Sequence, residues 1–262
     1  MSRISVTYEN HIAHVRLTRS DKMNAVDQEM ITGIIAAGDE IAASDARVVV
    51  LSGEGRAFCA GIDIGSLGQM IGVDPAGQLM PRTHGNGTTN QWQEVAMIWA
   101  RLPIPVIAAL HGPVFGAGYQ LALGADIRIA GPDTKIAVME LKWGIVPDMG
   151  GMVLLPKLVA PDVMRKLTYT ATPVLPDQAL AWGLVTELAD DPLVASMELA
   201  TEIAGRSPSA ICAAKRLMTL SEAASDTEIL LAESQEQAAL VGTPEQMEVV
   251  AATFQKRPAV FK

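Results

Sequence analysis

The chain has 262 residues, of which 49% are apolar and 19% are charged. That length suffices for one large domain with a substantial core, and the composition excludes an intrinsically disordered chain. The formal net charge of −9 argues against a nucleic-acid partner, although a local basic pocket for one anionic ligand is compatible with it.

The first part of the chain alternates strand and helix patterns. The segment IAHVRLT places Ala13, Val15 and Leu17 on one face of a half-buried strand, and we expect it to form a hairpin with ISVTYE. The segment VDQEMITGIIAAGDEIAASD carries isoleucines at helical spacing, with Asp27 as its candidate N-cap. RVVVLSG follows as a strand that is apolar throughout, which is typical of a strand covered on both faces.

The same alternation continues after residues 65–90, which we expect to form a long, mobile and functional loop. IPVIAALHG, DIRIAG and KIAVME predict strands, GAGYQLALGA predicts the start of a helix, and GGMVLLPKLV predicts a helix. From residue 191 onward the pattern is wholly helical. We therefore predict an α/β core over residues 1–190 and a helical region over residues 191–262, which either packs on the core or another subunit or forms a bundle of its own.

Two features bear on compartment. Residues 102–125 carry no charged side chain, but three prolines, four glycines and His111 interrupt them, so a buried strand, turn and helix explains them better than a membrane span. Cys59 and Cys212 lie far apart, and the first residues have no apolar signal segment. We expect a cytoplasmic protein with reduced thiols and no membrane partner.

Several common kinds of site are missing from the sequence. GEGRAF and GAGYQL lack the third glycine of a dinucleotide fingerprint, and there is no Walker lysine, G-x-S-x-G elbow, C-x-x-C or H-E-x-x-H. The four histidines show no metal-ligand spacing, so we expect no metal site. Cys59 has no nearby base in the sequence, which favours packing over a nucleophilic role.

Two strand-to-glycine turns remain as candidate chemistry. RVVVLSG leads into RAFCAGIDIGSL, and PVIAALHG leads into PVFGAGYQLALGAD. Such turns leave backbone N–H groups without intrahelical partners. Two of them side by side would form an oxyanion hole, in which each donor contributes roughly 3 to 4 kcal/mol to transition-state stabilisation. Close helix–strand packing is the alternative reason for the same glycines.

Four stretches, in this order, resemble the enoyl-CoA hydratase/isomerase (crotonase) superfamily over nearly the whole chain: SGEGRAFCAGIDIGSL, HGPVFGAGYQLALGADIRIA, MELKWGIVPDMGG and FQKRPAVF, with KMNAV before them. The resemblance implies a spiral of β-β-α units followed by C-terminal helices that build homotrimers, often paired into hexamers. It also implies an acyl-CoA thioester as the ligand. Coenzyme A would then be part of the substrate, and no separate cofactor is expected.

The resemblance assigns roles to individual positions. It places the two oxyanion-hole amides at Ile62 and Ala117, where Ala117 replaces the glycine that is usual in the hydratases. The positions that it implies for binding CoA or the acyl group are Lys22, Met23, Ala25, Arg56, Ala60, Asp63, Ile64, Gly116, Gln120, Lys256 and Phe261. The last two approach CoA commonly across a subunit boundary in the family.

The reaction depends on three polar residues. The family's hydratases use two glutamates; the second matches Glu140, but Gln120 stands at the first position and cannot exchange a proton at neutral pH. Asp148 matches the aspartate that partners the glutamate in dienoyl-CoA isomerases, but those isomerases also carry an acidic residue where Gln120 stands, so the match to them is incomplete as well. Apolar neighbours such as Trp143, and a second carboxylate nearby, should raise the pKa of such a group toward working pH.

We therefore expect Glu140 and Asp148 to catalyse double-bond isomerisation of an enoyl- or dienoyl-CoA, with hydration of a 2-enoyl-CoA as the alternative. Asp148 has a second interpretation, as the cap of the following helix. Thioester hydrolysis or dehalogenation on the same scaffold stays open. A catalytically silent acyl-CoA-binding protein is the non-enzymatic alternative, and Gln120 is the residue that motivates it.

Overall fold

A mostly parallel sheet forms the centre of the protein, in a computed structural model that describes residues 3–65 and 74–261. The strands are β1 (Ile4–Glu9), β2 (Ile12–Leu17), β3 (Val48–Gly53), β4 (Val106–Leu110), β5 (Pro113–Phe115), β6 (Ile127–Ala130), β7 (Lys135–Ala137) and β8 (Glu187–Leu188). Six of them form one sheet in the order β1-β2-β3-β4-β6-β8, and β5 pairs with β7 in a second sheet. The β1–β2 hairpin is antiparallel and the other pairs are parallel.

Helices surround the sheets. They are α1 (Gln28–Ala42), α2 (Pro75–Leu79), α3 (Gln91–Arg101), α4 (Ala117–Leu123), α5 (Gly151–Leu154), α6 (Pro161–Thr170), α7 (Pro176–Ala181), α8 (Pro192–Ala204), α9 (Pro208–Ser221), α10 (Asp226–Leu240) and α11 (Pro244–Gln255). Short 3-10 helices span Ser20–Lys22, Gly85–Gly87, Glu140–Trp143 and Leu155–Lys157. The predicted α/β class is confirmed.

Both faces of the central strands β3 and β4 are buried, as their apolar sequences predict. Val49 and Leu51 of β3 belong to the main core together with α1 and α3, whereas Val48 and Val50 pack on the other face, against α8. Ala13, Val15 and Leu17 all face the main core. Burial of both faces explains why β3 carries apolar residues without alternation.

Two local predictions can be compared directly with the structure. Asp27 caps α1, because its carboxylate accepts a hydrogen bond of 2.8 Å from the Met30 amide. The predicted long loop at residues 65–90 instead contains α2 and the Gly85–Gly87 turn; its residues 66–73 lie outside the described part. Within the described residues, no helix is both long enough and apolar enough to cross a membrane.

The C-terminal helices differ in how much of their surface is covered. Helix α8 packs on the sheet through Ala200 and Ala204. Helix α10, in contrast, has no buried residue, and its Leu230 and Leu231 are 61% and 58% exposed. The division of the chain at residue 190 stays a prediction, and the first helix beyond it is part of the core.

Candidate active site

The two strand-to-glycine turns identified in the sequence lie against each other. The segment after β3 bonds along β5, through Cys59 N–H to the Pro113 carbonyl (3.2 Å) and Phe115 N–H to the Cys59 carbonyl (3.0 Å). The Gly116 amide then bonds to the Ala137 carbonyl at the end of β7 (2.9 Å). Three chain segments are thereby held side by side at the N-terminus of α4.

Glycines allow this close approach. Gly61 has a φ of +101°, and a Cβ there would lie 2.9 Å from the Phe115 carbonyl oxygen and 3.9 Å from the Ala117 nitrogen. A Cβ on Gly118 would lie 2.4 Å from the Cys59 carbonyl oxygen. Side chains at either position would force the two turns apart.

The amides of Ile62 and Ala117 stand where the two turns meet. Val26 bonds to the Gly61 carbonyl and to the Asp63 amide, so the Ile62 amide between them faces away from Val26. Ala117 is the first residue of α4, where an N–H has no intrahelical partner. Among the described residues neither amide donates a hydrogen bond to the protein, so the pair can serve an oxygen of a ligand.

The side chain of Asn24 holds the loop before α1 against the turn that follows β3. Its fully buried side chain lies 2.9 to 3.1 Å from the carbonyl oxygens of Glu54, Ala57 and Phe58. Cys59, also fully buried, contacts the Asn24 carbonyl through its thiol. Burial raises the pKa of this thiol to about 12, so Cys59 is a packing residue, as expected. The sequence offered only the KMNAV match as a signal for Asn24.

An inner cavity of about 110 Å³ lies beside the two amides. Its lining residues are Ala60, Gly61, Ile62, Ile64, Gly116, Ala117, Gln120, Met139, Glu140, Trp143, Ile145, Asp148 and Met149. The cavity thus brings together both candidate carboxylates, both candidate amides and Gln120, which the sequence spreads over nearly ninety positions.

Glu140 is buried in the 3-10 helix after β7 and is only 7% exposed. Its Oε1 accepts a 2.6 Å hydrogen bond from Gln120 Nε2, while its Oε2 is buried and has no partner among the described residues. Burial raises the pKa of Glu140; the charge of Asp148 raises it further, and the hydrogen bond from Gln120 opposes both. A carboxyl with a raised pKa in this position is suited to receive and return a proton.

Asp148 is exposed, on the same cavity as Glu140. Neighbouring protein atoms displace part of its water and raise its pKa. The alternative role as a helix cap is not supported, because α5 begins after Gly150 and no side chain caps it. The Met149 and Gly151 amides bond instead to Gln120 Oε1, at 2.8 and 3.0 Å.

A wider outer cavity of about 590 Å³ adjoins the inner one. The two share five lining residues: Ala60, Ile62, Ile64, Met139 and Trp143. This cavity is lined by four residues that were predicted to contact CoA: Lys22, Met23, Ala25 and Asp63. It is also lined by Lys142 and Phe115, which the sequence did not indicate. Asp63 forms an ion pair with Arg19 (2.6 Å). Two exposed lysines, Lys22 and Lys142, therefore offer positive charge at this opening.

Three predicted CoA-binding residues lie elsewhere in the single chain. Arg56 is exposed on the turn after β3, and Lys256 is exposed at the end of α11; neither lines the two cavities. Phe261 packs on the Arg47 guanidinium, 5.8 Å from the ring centre, next to the amino end of β3. The inner cavity lies beyond the carboxyl end of β3, so Phe261 lines neither cavity within the single chain.

Comparisons with known proteins agree with the fold. The family model described as enoyl-CoA hydratase/isomerase matches residues 7–262. The human mitochondrial Delta(3,5)-Delta(2,4)-dienoyl-CoA isomerase is 33% identical over 79% of this chain, and the chain covers 65% of the length of that relative. The Mycobacterium tuberculosis protein named "Probable enoyl-CoA hydratase EchA14" is also 33% identical, over 82% of this chain and 80% of the relative. The crystal structure of enoyl-CoA hydratase from Bacillus anthracis superposes with a TM-score of 0.89 at 26% identity, covering 99% of both chains.

Proposed function

Because the chain belongs to the enoyl-CoA hydratase/isomerase family, we propose that it is an acyl-CoA enzyme that relocates a double bond in an enoyl- or dienoyl-CoA. Coenzyme A enters as part of this substrate, and the reaction needs no separate cofactor. The observation that carries the proposal is one cavity, which Glu140 and Asp148 line together with Ile62 and Ala117. Gln120 lines the same cavity, at the position where the family's hydratases have their first glutamate.

The thioester oxygen lies between the amides of Ile62 and Ala117. Glu140 removes a proton from the carbon next to the thioester carbonyl, and the electron pair moves onto the oxygen to form an enolate. A proton is then added at a carbon further along the chain. Either Glu140 returns the one that it took, or an Asp148 that is protonated beforehand gives its own, and the proton on Glu140 passes through solvent to reprotonate Asp148. The shift of the double bond follows from adding the proton at a different carbon from the one that lost it.

The outer cavity receives the CoA portion. Lys22 and Lys142 attract its phosphates, while Ala25, Ala60 and Ile64 contact its uncharged parts. The C-terminal helices assemble the chain into a homotrimer or a pair of trimers, and Lys256 and Phe261 reach CoA from a neighbouring subunit.

Hydration of a 2-enoyl-CoA is the second candidate, because the Mycobacterium tuberculosis relative and the Bacillus anthracis structure are both named as hydratases. Hydration by the two-glutamate mechanism requires two side chains that exchange protons with one water molecule. Gln120 cannot do so, and its amide is already bonded to Glu140 and to two backbone amides. Isomerisation, which one buried carboxyl can support, is therefore preferred.

A substrate panel tests the proposal. Purified protein is incubated separately with a 2-enoyl-CoA, a 3-enoyl-CoA and a 3,5-dienoyl-CoA, and the absorbance of the conjugated thioester is followed. We expect turnover of the 3-enoyl or the 3,5-dienoyl substrate. Rapid hydration of the 2-enoyl-CoA alone would reject isomerisation, and tight binding without any turnover would indicate an acyl-CoA-binding protein.

A further inference from the structure

The carboxamide of Gln120 has hydrogen-bond partners on both of its ends. Its Oε1 accepts from Met149 N–H and Gly151 N–H, and its Nε2 donates to Glu140 Oε1. Two backbone N–H groups can be satisfied only by an oxygen, so the carboxamide cannot rotate by half a turn without losing all three bonds. The side chain is 3% exposed, which makes such losses costly.

The loop after Asp148 is shaped to receive this oxygen. A Cβ on Gly151 would lie 2.8 Å from Gln120 Oε1, so a larger residue there would push the carboxamide away. Gly150 has a φ of +92°, a left-handed conformation that turns its neighbours' amides toward the same point. Through Gln120 the Glu140 carboxyl is thus fastened to the loop that carries Asp148.

The two oxygens of Glu140 consequently differ. Oε1 is bonded to Gln120 and would lie 3.4 Å from a Cβ on Gly116, whereas Oε2 has no partner among the described residues. A buried carboxylate oxygen without a partner is unfavourable unless a ligand uses it. Oε2 is therefore the oxygen available to a substrate proton.

We propose that Gln120 is a positioning residue, which fastens Glu140 Oε1 to the loop at residues 148–151 and thereby assigns proton transfer to Glu140 Oε2. The role rests on the proposed function in taking Glu140 as the base. Oε2 takes the proton as the bond to carbon breaks and the electron pair of that bond passes to the thioester oxygen. Where Glu140 also returns the proton, the same oxygen releases it as the new C–H bond forms.

Removal of the carboxamide tests this role. Gln120→Met keeps the length of the side chain but loses both hydrogen-bonding ends. The lost donor should raise the pKa of Glu140 by about one to two units, because hydrogen bonds to charged groups have that strength. We expect this shift in the carboxyl ¹³C NMR titration of the substrate-free protein. The apparent pKa that governs the low-pH limb of the kcat/KM profile should increase by the same amount. We expect kcat to fall about tenfold and KM to change less than about twofold.

Two further variants separate positioning from space filling. Gln120→Glu retains an oxygen for the Met149 and Gly151 amides but places a second carboxyl against Glu140. The two carboxyls should then share one proton, and the apparent pKa of the low-pH limb of kcat/KM should also increase. Tyr119→Phe is the matched control, since Tyr119 is the adjacent, equally buried residue of α4 and its hydroxyl has no partner among the described residues. This control should leave unchanged both the pKa of Glu140 in the NMR titration and the apparent pKa of the low-pH limb of kcat/KM.

The outcomes are distinct. If Gln120→Met leaves the titration of Glu140 and the low-pH limb at their wild-type positions, Gln120 only fills space and the inference is wrong. Should the methionine variant fail to fold, Gly151→Ala provides a second measurement, because its Cβ would displace the Gln120 carboxamide without adding a charge and should raise the pKa of Glu140 in the same direction. A wild-type protein that turns over none of the three thioesters would reject the proposed function, while the NMR titration would still decide the role of Gln120.

Discussion

Glu140 combines burial with a free oxygen, and the first prediction concerns its proton. Glu140→Gln preserves the shape of the side chain and an oxygen for Gln120, but it removes the exchangeable proton. We expect kcat to fall by about 10²- to 10⁴-fold, the usual effect of losing a general base. Steady-state assays with the preferred thioester measure the loss, and unchanged turnover would remove Glu140 from the mechanism.

The same substitution should stabilise the fold in a pH-dependent way. Burial raises the pKa of Glu140 above its value in the unfolded chain, about 4.3, so the folded state binds the proton more tightly. Ionisation of the buried group therefore costs stability as the pH rises above that value. Glu140→Gln should melt at a higher temperature than wild type near neutral pH, with the difference shrinking toward a pH of about 4. A gain that is equal at every pH would contradict this cause.

Asp148 permits a test of proton transfer without a structural cost. Since Gly150, not Asp148, precedes α5 and no side chain caps that helix, neither Asp148→Asn nor Asp148→Ala should lower the melting temperature by more than about 1 °C. Both should reduce kcat about tenfold or more if the carboxyl exchanges a proton. A lower melting temperature for Asp148→Ala, with an unchanged one for Asp148→Asn, would instead indicate that Asp148 caps α5.

The sequence predicted the identities of the site residues better than their contacts. Glu140, Asp148, Ile62 and Ala117 were indicated by motif resemblance, and they line one cavity. The bonds from Gln120 to the Met149 and Gly151 amides could not be predicted, because they join residues about thirty positions apart through the backbone. Side-chain patterns carry no information on where a distant amide points.

At the scale of elements, strands were more predictable than short helices. The apolar strands follow directly from burial on two faces. Helix α3 was missed, although Asn90 and Gln93 form a capping box at its start, a signal readable in the sequence. GGMVLLPKLV predicted one helix but contains the single turn of α5 followed by a 3-10 turn, because Pro156 interrupts the helical hydrogen bonds.

The junction between the two turns depends on Gly118. A Cβ there would lie 2.4 Å from the Cys59 carbonyl oxygen, so Gly118→Ala should destabilise the protein by about 1 to 3 kcal/mol and lower kcat by displacing the Ala117 amide. Gly205→Ala is the matched control, because a Cβ there makes only ordinary contacts of 3.4 Å or more. Chemical denaturation measures both, and equal stability of the two variants would mean that the turns can separate freely.

At the scale of the whole molecule, α10 has no buried residue in the single chain. Its exposed Leu230 and Leu231 would be shielded in the proposed trimer. Sedimentation should therefore give a mass of three or six times 27.7 kDa, and Leu230→Asp combined with Leu231→Asp should shift it toward the single chain. A wild-type protein that sediments as a single chain at micromolar concentration would contradict the assembly.

The fully buried thiol of Cys59 has a practical consequence for studying motion. It lies beneath the joined turns, where no reagent can reach it, and its high pKa leaves almost no reactive thiolate. Cys212, in contrast, is only partly buried. A thiol-labelling time course should therefore show one faster and one slower phase. The slower phase reports how often the two turns separate in the native protein, and its suppression by a bound thioester would measure how firmly the ligand holds them closed.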